Sequence, residues 1–181
     1  MWNGFDERVA ANFGERASVL RLLHLRSSVR LVHFDRYMMV PSLLCSTASA
    51  AISSIAEPES DTMRYIAAGL ALSAGMLVAI NKHLKFSERS FAHKRSANAY
   101  GKLNRLVTVE MALDRSRRKK SDDLLTKVRH TMDSVTEESP LIEQCVVDNF
   151  MSSFSNTENI CLPEVCSGLS RIMVRDETEQ T

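Results

Sequence analysis

The sequence lacks the residue patterns on which most enzymes and metal sites depend. The five histidines share no metal-binding spacing with one another, and the four cysteines include no CxxC pair. The chain has no GxxxxGKS or GxxxxGKT phosphate loop, no GxGxxG and no GxSxG. Neighbouring carboxylates such as Asp122 and Asp123 point apart on a helix, which argues against a shared proton or metal ion. We therefore expect a protein without enzymatic activity, cofactor, metal or small-molecule substrate.

Charge is absent from two stretches of the chain, although charged residues make up 25% of it. Twenty residues, 37–56, and seventeen residues, 65–81, carry no charged side chain. At about 1.5 Å per residue, each length suits a helix that crosses the hydrocarbon core of a bilayer. The short connection 57–64 makes the two helices antiparallel neighbours. The sequence therefore predicts a transmembrane helical hairpin over residues 37–84.

The segments on either side of these stretches differ in the sign of their charge. Six arginines precede the first stretch, and five lysines and arginines follow the second within residues 82–95. The connection carries Glu57, Glu59 and Asp61, with Arg64 as its one basic residue. By the positive-inside rule, we expect both termini on the cytoplasmic side and the connection on the far side.

Small residues recur at every fourth position in both uncharged stretches. Such stripes let helix backbones approach closely, so that packing and hydrogen bonds hold the helices together in lipid. We predict that they pack the two helices of one hairpin, or hairpins of neighbouring copies. The stripes are Ser42, Ser46, Ala50 and Ser54 in the first stretch and Ala67, Ala71, Gly75 and Ala79 in the second.

The rest of the chain is also predicted to be helical, which gives an all-α fold. Residues 1–36 read as an amphipathic helix, 85–174 as a cytoplasmic-side helical region and 175–181 as a polar tail. Each proline is predicted to mark a helix start or a turn, because proline is disfavoured within helices. The four prolines are Pro41, Pro58, Pro140 and Pro163.

Four further helices are expected after the hairpin. A long stalk helix would run from Lys82 to about Arg115, with a break near Gly101 as the alternative. The next helix would have Ser121 as its N-cap and an apolar face of Leu124, Leu125, Val128, Met132 and Val135. Shorter helices would follow over residues 140–154 and 163–174.

Basic residues near the hairpin and after the stalk are candidates for docking on lipid headgroups or on a protein partner. The run from Arg115 to Lys120 has no interleaved aromatic residue, so specific nucleic-acid binding is not expected. The alternative for this run is a solvated turn between helices. The candidate docking residues are Arg26, Arg30, Arg36, Lys82, Lys85, Arg115, Arg117, Arg118, Lys119 and Lys120.

The layout of residues 25–145 resembles the SLATT family, two-transmembrane domains of bacterial conflict systems and of large DNA viruses. The features that match are the small-residue hairpin Met38–Leu84, its basic exit, the stretch Ala97-x-x-Tyr100-x-x-Leu103-x-Arg105, and a helix running towards Ser139-Pro140. The bacterial members look like effectors that oligomerise and breach a membrane. The viral members are small stand-alone proteins, and this resemblance implies a component of a virion.

A transmembrane hairpin is consistent with two functions from different classes. A third function applies if the chain does not enter a membrane. The first is a structural protein of a virion inner membrane, or a minor capsid component, that anchors the bilayer to a shell or scaffold and self-associates. The second is an oligomeric pore-forming effector, in which Ser42, Ser46, Ser49, Ser53 and Ser54 would line a ring of helices. The third is a soluble helical adaptor.

Overall fold

A computed structural model describes residues 2–55, 60–154 and 160–168, and every regular element within these ranges is an α-helix. The all-α class predicted from the sequence is confirmed. The helices are α1 Gly4–Ile55, α2 Asp61–Leu84, α3 Phe86–Ala112, α4 Ser121–Glu138, α5 Gln144–Ser153 and α6 Glu164–Ser167.

A single helix, α1, covers both the predicted amphipathic segment and the first uncharged stretch. Pro41 lies inside α1, so the prediction that it marks a helix start or a turn is wrong. Proline removes one backbone donor, which would otherwise bond to the carbonyl of Tyr37 four residues earlier. The Ser42 hydroxyl donates to the Met39 carbonyl at 2.8 Å, so this bond does not replace the one that the Tyr37 carbonyl loses.

One residue, Lys85, separates α2 from α3. Its backbone is left-handed, with φ 50° and ψ 40°, yet its N–H still bonds to the Asn81 carbonyl at 3.1 Å. The predicted alternative of a break near Gly101 is wrong, because α3 runs through that glycine to Ala112. Gly101 instead permits a close approach, since a Cβ there would lie 3.2 Å from the side chain of Arg21.

Other predicted boundaries move by a few residues. α2 begins at Asp61, so residues 61–64 are helical and not part of the connection. The N-cap of α4 is Lys120, while Ser121 is a buried first residue that makes no cap bond. α5 begins at Gln144, not at Pro140, which leaves Ile142 free to pack against two apolar clusters. Predictions that concern Pro58 and residues 169–181 lie outside the described ranges.

The chain divides into two compact units. The first unit comprises residues 2–27 together with the described residues from 92 onward, and the second is Ser28–Phe91. In the first unit the start of α1 packs with α3 and α4 around Leu20, Tyr100 and Leu124, and a smaller cluster joins Leu23 of α1 to Phe150 of α5. The predicted apolar face of α4 is confirmed: Leu124 and Val128 are buried in the first cluster, and Leu125, Met132 and Val135 pack against it.

Candidate membrane hairpin

The second unit is a hairpin whose apolar side chains mostly face outward. Two helical segments, Gly4–Ile55 and Asp61–Ala112, are long and apolar enough to cross a membrane by length and composition. Only 11% of the most apolar window of each segment is buried, whereas a core helix of a soluble protein is mostly buried. Tyr37, Leu43, Tyr65, Leu72 and Met76 are among the most exposed large side chains.

The two helices of this hairpin meet along a seam in which buried and half-buried positions alternate between spacings of four and three residues. This alternation averages 3.5 residues and keeps one face of each helix against its partner, as in coiled coils. The seam residues are Leu31, Asp35, Met38, Ser42, Cys45, Ser49 and Ile52 on α1 and Ala67, Leu70, Ala74, Leu77 and Asn81 on α2.

The predicted small-residue stripes lie mostly beside this seam. A four-residue repeat drifts by about 40° per step around a helix of 3.6 residues per turn, so it leaves the contact face after one or two steps. Ser42 and Ala67 belong to the seam, whereas the other six stripe residues are exposed. Those six residues are Ser46, Ala50, Ser54, Ala71, Gly75 and Ala79.

An open groove follows the exposed stripes on one side of the hairpin. It encloses about 850 Å³ and is lined by Ser46 and Ala50 of α1 and by Ala71 and Gly75 of α2, with Arg36 as its one charged lining residue. A Cβ added at Gly75 would meet nothing within 4 Å. These exposed stripe residues therefore line an open groove and do not pack against the other helix of the hairpin. Their packing against a neighbouring copy of the chain stays a prediction.

Polar bonds fix the register of the hairpin. The Ser49 hydroxyl donates to the Ala67 carbonyl at 2.8 Å, and the Asn81 amide donates to the Asp35 carboxylate at 3.0 Å. At the base of the same unit the hydroxyl oxygens of Ser28 and Ser90 lie 3.0 Å apart. Because a shift of either helix would break these bonds together, they select one antiparallel alignment.

Several hydroxyl groups on the outside of the hairpin are satisfied by their own helix. Thr47 donates to Leu44, Ser54 to Ala50 and Ser73 to Gly69, all backbone carbonyls within one turn and at 2.8–3.0 Å. Such bonds reduce the cost of placing a hydroxyl in hydrocarbon, where no water replaces the missing partner. The serine content of the hairpin is thus compatible with a lipid environment.

The predicted docking residues near the hairpin are placed in different surroundings. Arg36 and Lys82 are exposed, and Lys85 pairs with Glu88 at 3.2 Å. Arg30 lies over the ring of Phe34 at 5.5 Å in the second unit. In the first unit, Arg26 lies over two phenylalanine rings, Phe150 at 5.8 Å and Phe154 at 5.4 Å.

Two arginines of the basic run Arg115–Lys120, which follows α3, are bound to the carboxylate of Glu7. Arg115 donates two hydrogen bonds of 2.8 Å to Glu7, and Arg118 donates a third of 2.6 Å. These bonds, Arg115 first and Arg118 second, lower the pKa of the Glu7 carboxyl from 4.5 to about 2. Glu7 in turn raises the pKa of Arg115.

Further contacts tie the same basic run to the first residues of the chain. Arg118 lies over the Trp2 ring at 5.6 Å, and the Trp2 indole donates to the Lys119 carbonyl at 2.7 Å. Lys119 pairs with Glu110 at 3.5 Å. Within the described ranges Arg117 and Lys120 have no ion-pair partner, so among these five basic residues the docking prediction fits those two best.

A buried histidine pair in the first unit was not predicted from the sequence. His24 of α1 and His93 of α3 are each 1% exposed, and their Nδ1 atoms lie 2.9 Å apart. Tyr100 stacks on His24 at 5.6 Å, and the Tyr100 hydroxyl lies 3.2 Å from that of Thr136 on α4. Burial first, and the neighbouring His93 second, lower the pKa of His24 from 6.5 to about 4. The only sequence signal is that both histidines fall on apolar helix faces.

Metal-binding groups do not cluster in the part of the chain that the structure describes, where no set of three His, Cys, Asp or Glu side chains could hold an ion. The four cysteines are free thiols. No protein-family model, curated protein or solved structure matches the chain. The geometry of the hairpin and of the first unit is therefore the basis for a functional proposal.

Proposed function

We propose that this chain is a non-enzymatic integral membrane structural protein. Residues 37–55 of α1 and most of α2 would cross the bilayer as a hairpin, and the helices of the first unit would dock on a protein shell or scaffold. The single observation that carries this proposal is the outward orientation of the hairpin's apolar side chains: only 11% of each apolar window is buried.

A lipid bilayer is the environment in which outward-facing apolar side chains are stable. Soluble monomers rarely expose a continuous apolar surface larger than a few hundred Å². Each leucine, isoleucine or valine near the centre of a membrane helix contributes about 0.3–0.6 kcal/mol to insertion. The hairpin also keeps its inter-helix hydrogen bonds at Ser49 and Asn81 inside the seam, where they do not compete with lipid.

The charge distribution supports a topology with both ends of the chain on the cytoplasmic side. Arginines accumulate before residue 37 and lysines and arginines after residue 81, while the sequence between the two uncharged stretches carries Glu57, Glu59 and Asp61. Arg36 and Lys82 directly follow the bonded residues Asp35 and Asn81, so they lie at the same end of the hairpin, and both are exposed. Their charges would sit at the headgroups of the cytoplasmic leaflet.

The assignment to a virion is the finer part of the proposal. It rests on the SLATT-like layout of residues 25–145 and on the stand-alone character of the viral members of that family. In this role the protein would be an inner-membrane or minor capsid component, and copies would self-associate through the exposed stripes.

A pore-forming effector is the second candidate. The observation that favours it is the groove, because Ser42, Ser46 and Ser49 are among its lining residues. The hydrogen bonds favour the anchor, because the hydroxyls of Ser42 and Ser49 donate to carbonyls of the hairpin itself and are not offered to an ion. A conductance above background in bilayers that contain the purified protein would favour the pore.

Carbonate extraction and protease protection test the membrane assignment, with tags at both termini and a cleavable site between residues 57 and 61. The key variant is Leu72→Arg, at a position that is 76% exposed. An arginine at the centre of a membrane helix costs about 2.5–3.5 kcal/mol, whereas on a water-exposed surface it costs almost nothing. We therefore expect Leu72→Arg to shift the protein to the carbonate-soluble fraction.

The matched control is Val109→Arg, because Val109 is 61% exposed on α3 of the first unit. This variant should remain in the membrane with the wild-type pattern of protease protection. If carbonate releases the wild-type protein and Leu72→Arg changes nothing, the soluble adaptor replaces the membrane anchor.

A further inference from the structure

We propose that the first unit binds a fatty-acid carboxylate, that is, an anionic head on a single apolar chain, in a pocket between α1 and α5. The pocket encloses about 410 Å³. All of its described lining residues belong to the first unit, so the site does not depend on the membrane assignment of the hairpin. The proposal concerns binding alone and involves no reaction of the ligand.

The walls of the pocket are apolar and belong to a packed cluster of the first unit. Val19 of α1 and Phe150 of α5 are buried in this cluster, and Leu22 and Leu162 pack against it. All four residues also line the pocket. Mainly apolar walls and a volume within roughly 300–1,000 Å³ are typical of small-molecule sites. The folded unit therefore offers a preformed apolar surface to the chain of a ligand.

Arg21 is the charged residue among the described lining residues, which otherwise include one polar side chain, that of Ser18. The Arg21 side chain is exposed and passes beside Gly101 of α3. A Cβ added at Gly101 would lie 3.2 Å from both Cδ and Nε of Arg21. The glycine therefore leaves the space in which the arginine lies at the edge of the pocket.

A second cation, Arg26, lies over the wall of the pocket. Its guanidinium carbon is 5.8 Å from the ring centre of Phe150 and 5.4 Å from that of Phe154, and both rings line the pocket. Neither Arg21 nor Arg26 forms an ion pair or a hydrogen bond through its side chain within the described ranges. The planar fork of an arginine matches the two oxygens of a carboxylate, so both residues are suited to an anionic head group.

Two carboxylates on the helices that form the pocket have other partners. Glu15 of α1 accepts a hydrogen bond of 2.7 Å from the backbone N–H of Cys161, and Asp148 of α5 accepts one of 3.0 Å from the side-chain amide of Gln144. The pocket thus combines apolar walls with two cations at its edge. A carboxylate on an apolar chain complements both features, whereas a neutral chain of equal length complements only the walls.

The test uses the full-length protein in a neutral detergent and a photoreactive palmitate with a diazirine in its chain. Cross-linked peptides are identified by mass spectrometry, and unlabelled dodecanoate or dodecanol competes with the probe. Because all proteins are measured in the same micelles, partition of these compounds into detergent cancels when a variant is compared with the wild type. We expect cross-links on residues 18–25 and on α5.

The key variant is Arg21→Gln, which removes the charge and keeps most of the side chain. The half-competing concentration of dodecanoate should rise roughly 5- to 10-fold in this variant, as for the loss of a partly exposed charged hydrogen bond, while that of dodecanol stays at the wild-type value. The matched control is Arg129→Gln, at an exposed position of α4, and it should change neither concentration. Folding of each variant is checked by urea unfolding with the fluorescence of Trp2, the single tryptophan.

Several results would overturn the site. Cross-links confined to residues 37–84 would do so and would leave the membrane assignment standing. An unchanged dodecanoate concentration in Arg21→Gln, or an equal rise for dodecanoate and dodecanol, would show that the pocket does not select an anionic head and would favour a protein segment as its occupant. If Arg21→Gln does not fold, Ser18→Phe decides, because a ring at this exposed lining position fills the pocket. Loss of the cross-links on residues 18–25 and α5 in that variant supports the site, and their retention overturns it.

Discussion

The hydroxyl of Ser49 donates to the backbone carbonyl of Ala67 at 2.8 Å and joins the two helices of the hairpin near their far end. Both residues belong to the seam, and Ser49 is only 8% exposed. The bond therefore identifies the face along which the helices meet, and this face differs from the one predicted from the four-residue stripes. The difference can be tested with two neighbouring residues of α2.

Ala74→Leu should open the hairpin, whereas Gly75→Leu should not. Ala74 is a seam residue that is 7% exposed, so a leucine would overpack the interface at a cost of about 1–3 kcal/mol. A Cβ at Gly75 would meet nothing within 4 Å, and replacement of the glycine also improves helix propensity by about 0.5–1 kcal/mol. The measurement is the rate at which maleimide labels the seam residue Cys45 in a protein whose other cysteines are alanine.

The expected result is a labelling rate that rises roughly 5- to 100-fold in Ala74→Leu, from the overpacking cost, and stays at the wild-type value in Gly75→Leu. A rise of similar size in Gly75→Leu would restore the stripes as the surface between the two helices. A change in oligomeric state confined to Gly75→Leu would place the stripes between copies of the chain.

Removal of the Glu7 carboxylate should weaken the first unit in a pH-dependent manner. Hydrogen bonds from Arg115 and Arg118 lower the pKa of Glu7 to about 2, so their stabilisation is fully present above about pH 4.5 and is lost as the pH falls towards 2. We expect Glu7→Gln to lower the urea midpoint at pH 5.5 and to approach the wild type near pH 2. A constant difference between the two proteins across this range would contradict the ion-pair explanation.

Glu88→Gln is the matched control for this comparison. Glu88 pairs with Lys85 three residues earlier, and both side chains are more than 60% exposed. Such surface pairs contribute little to stability. The urea midpoint of this variant should stay within error of the wild type at every pH.

Charge reversal should separate two kinds of residue within the basic run. Arg118 has a side chain that is 11% exposed and bonds to Glu7 and to two backbone carbonyls, so Arg118→Glu should lower the urea midpoint clearly. Arg117 and Lys120 are exposed, and their joint change to Glu should leave the midpoint unchanged. The same double change should reduce binding of the detergent-solubilised protein to beads coated with phosphatidylserine.

A docking role for Arg117 and Lys120 requires that binding falls while stability does not. Equal binding by the wild type and the double variant would support the alternative, in which these residues belong to a solvated turn between helices. Full binding by a folded Arg118→Glu protein would show that Arg118, which is bound to Glu7, does not contribute to docking.

Local sequence patterns predicted the helical regions of the chain and the apolar face of α4. The described part of the first uncharged stretch, 37–55, lies within α1 and the second stretch, 65–81, lies within α2. The apolar face of α4 follows the predicted helical spacing. The prediction for Pro41 was wrong because proline removes only one backbone hydrogen bond. A helix as long as α1 retains its other hydrogen bonds and can continue through this residue. Local rules therefore found the helices but placed one boundary inside α1.

Pairings between distant residues were beyond these patterns. Glu7 and Arg115 are 108 positions apart, and His24 and His93 are 69 apart, so no local spacing signals either contact. The seam was missed for a different reason, because small residues occur both on it and beside it. A search for alternating spacings of three and four residues from Leu31 to Ile52 could have found it.

The unbroken seam also limits how the hairpin can misfold. Sliding one helix by a single residue would turn its contact face by about 100° and replace every seam residue at once. The two helices cannot be misaligned at one end only. The same shift would break the bond between Asp35 and Asn81 at one end and the bond between Ser49 and Ala67 at the other. The hairpin should consequently behave as a single mechanical part, either aligned along its whole length or not assembled at all.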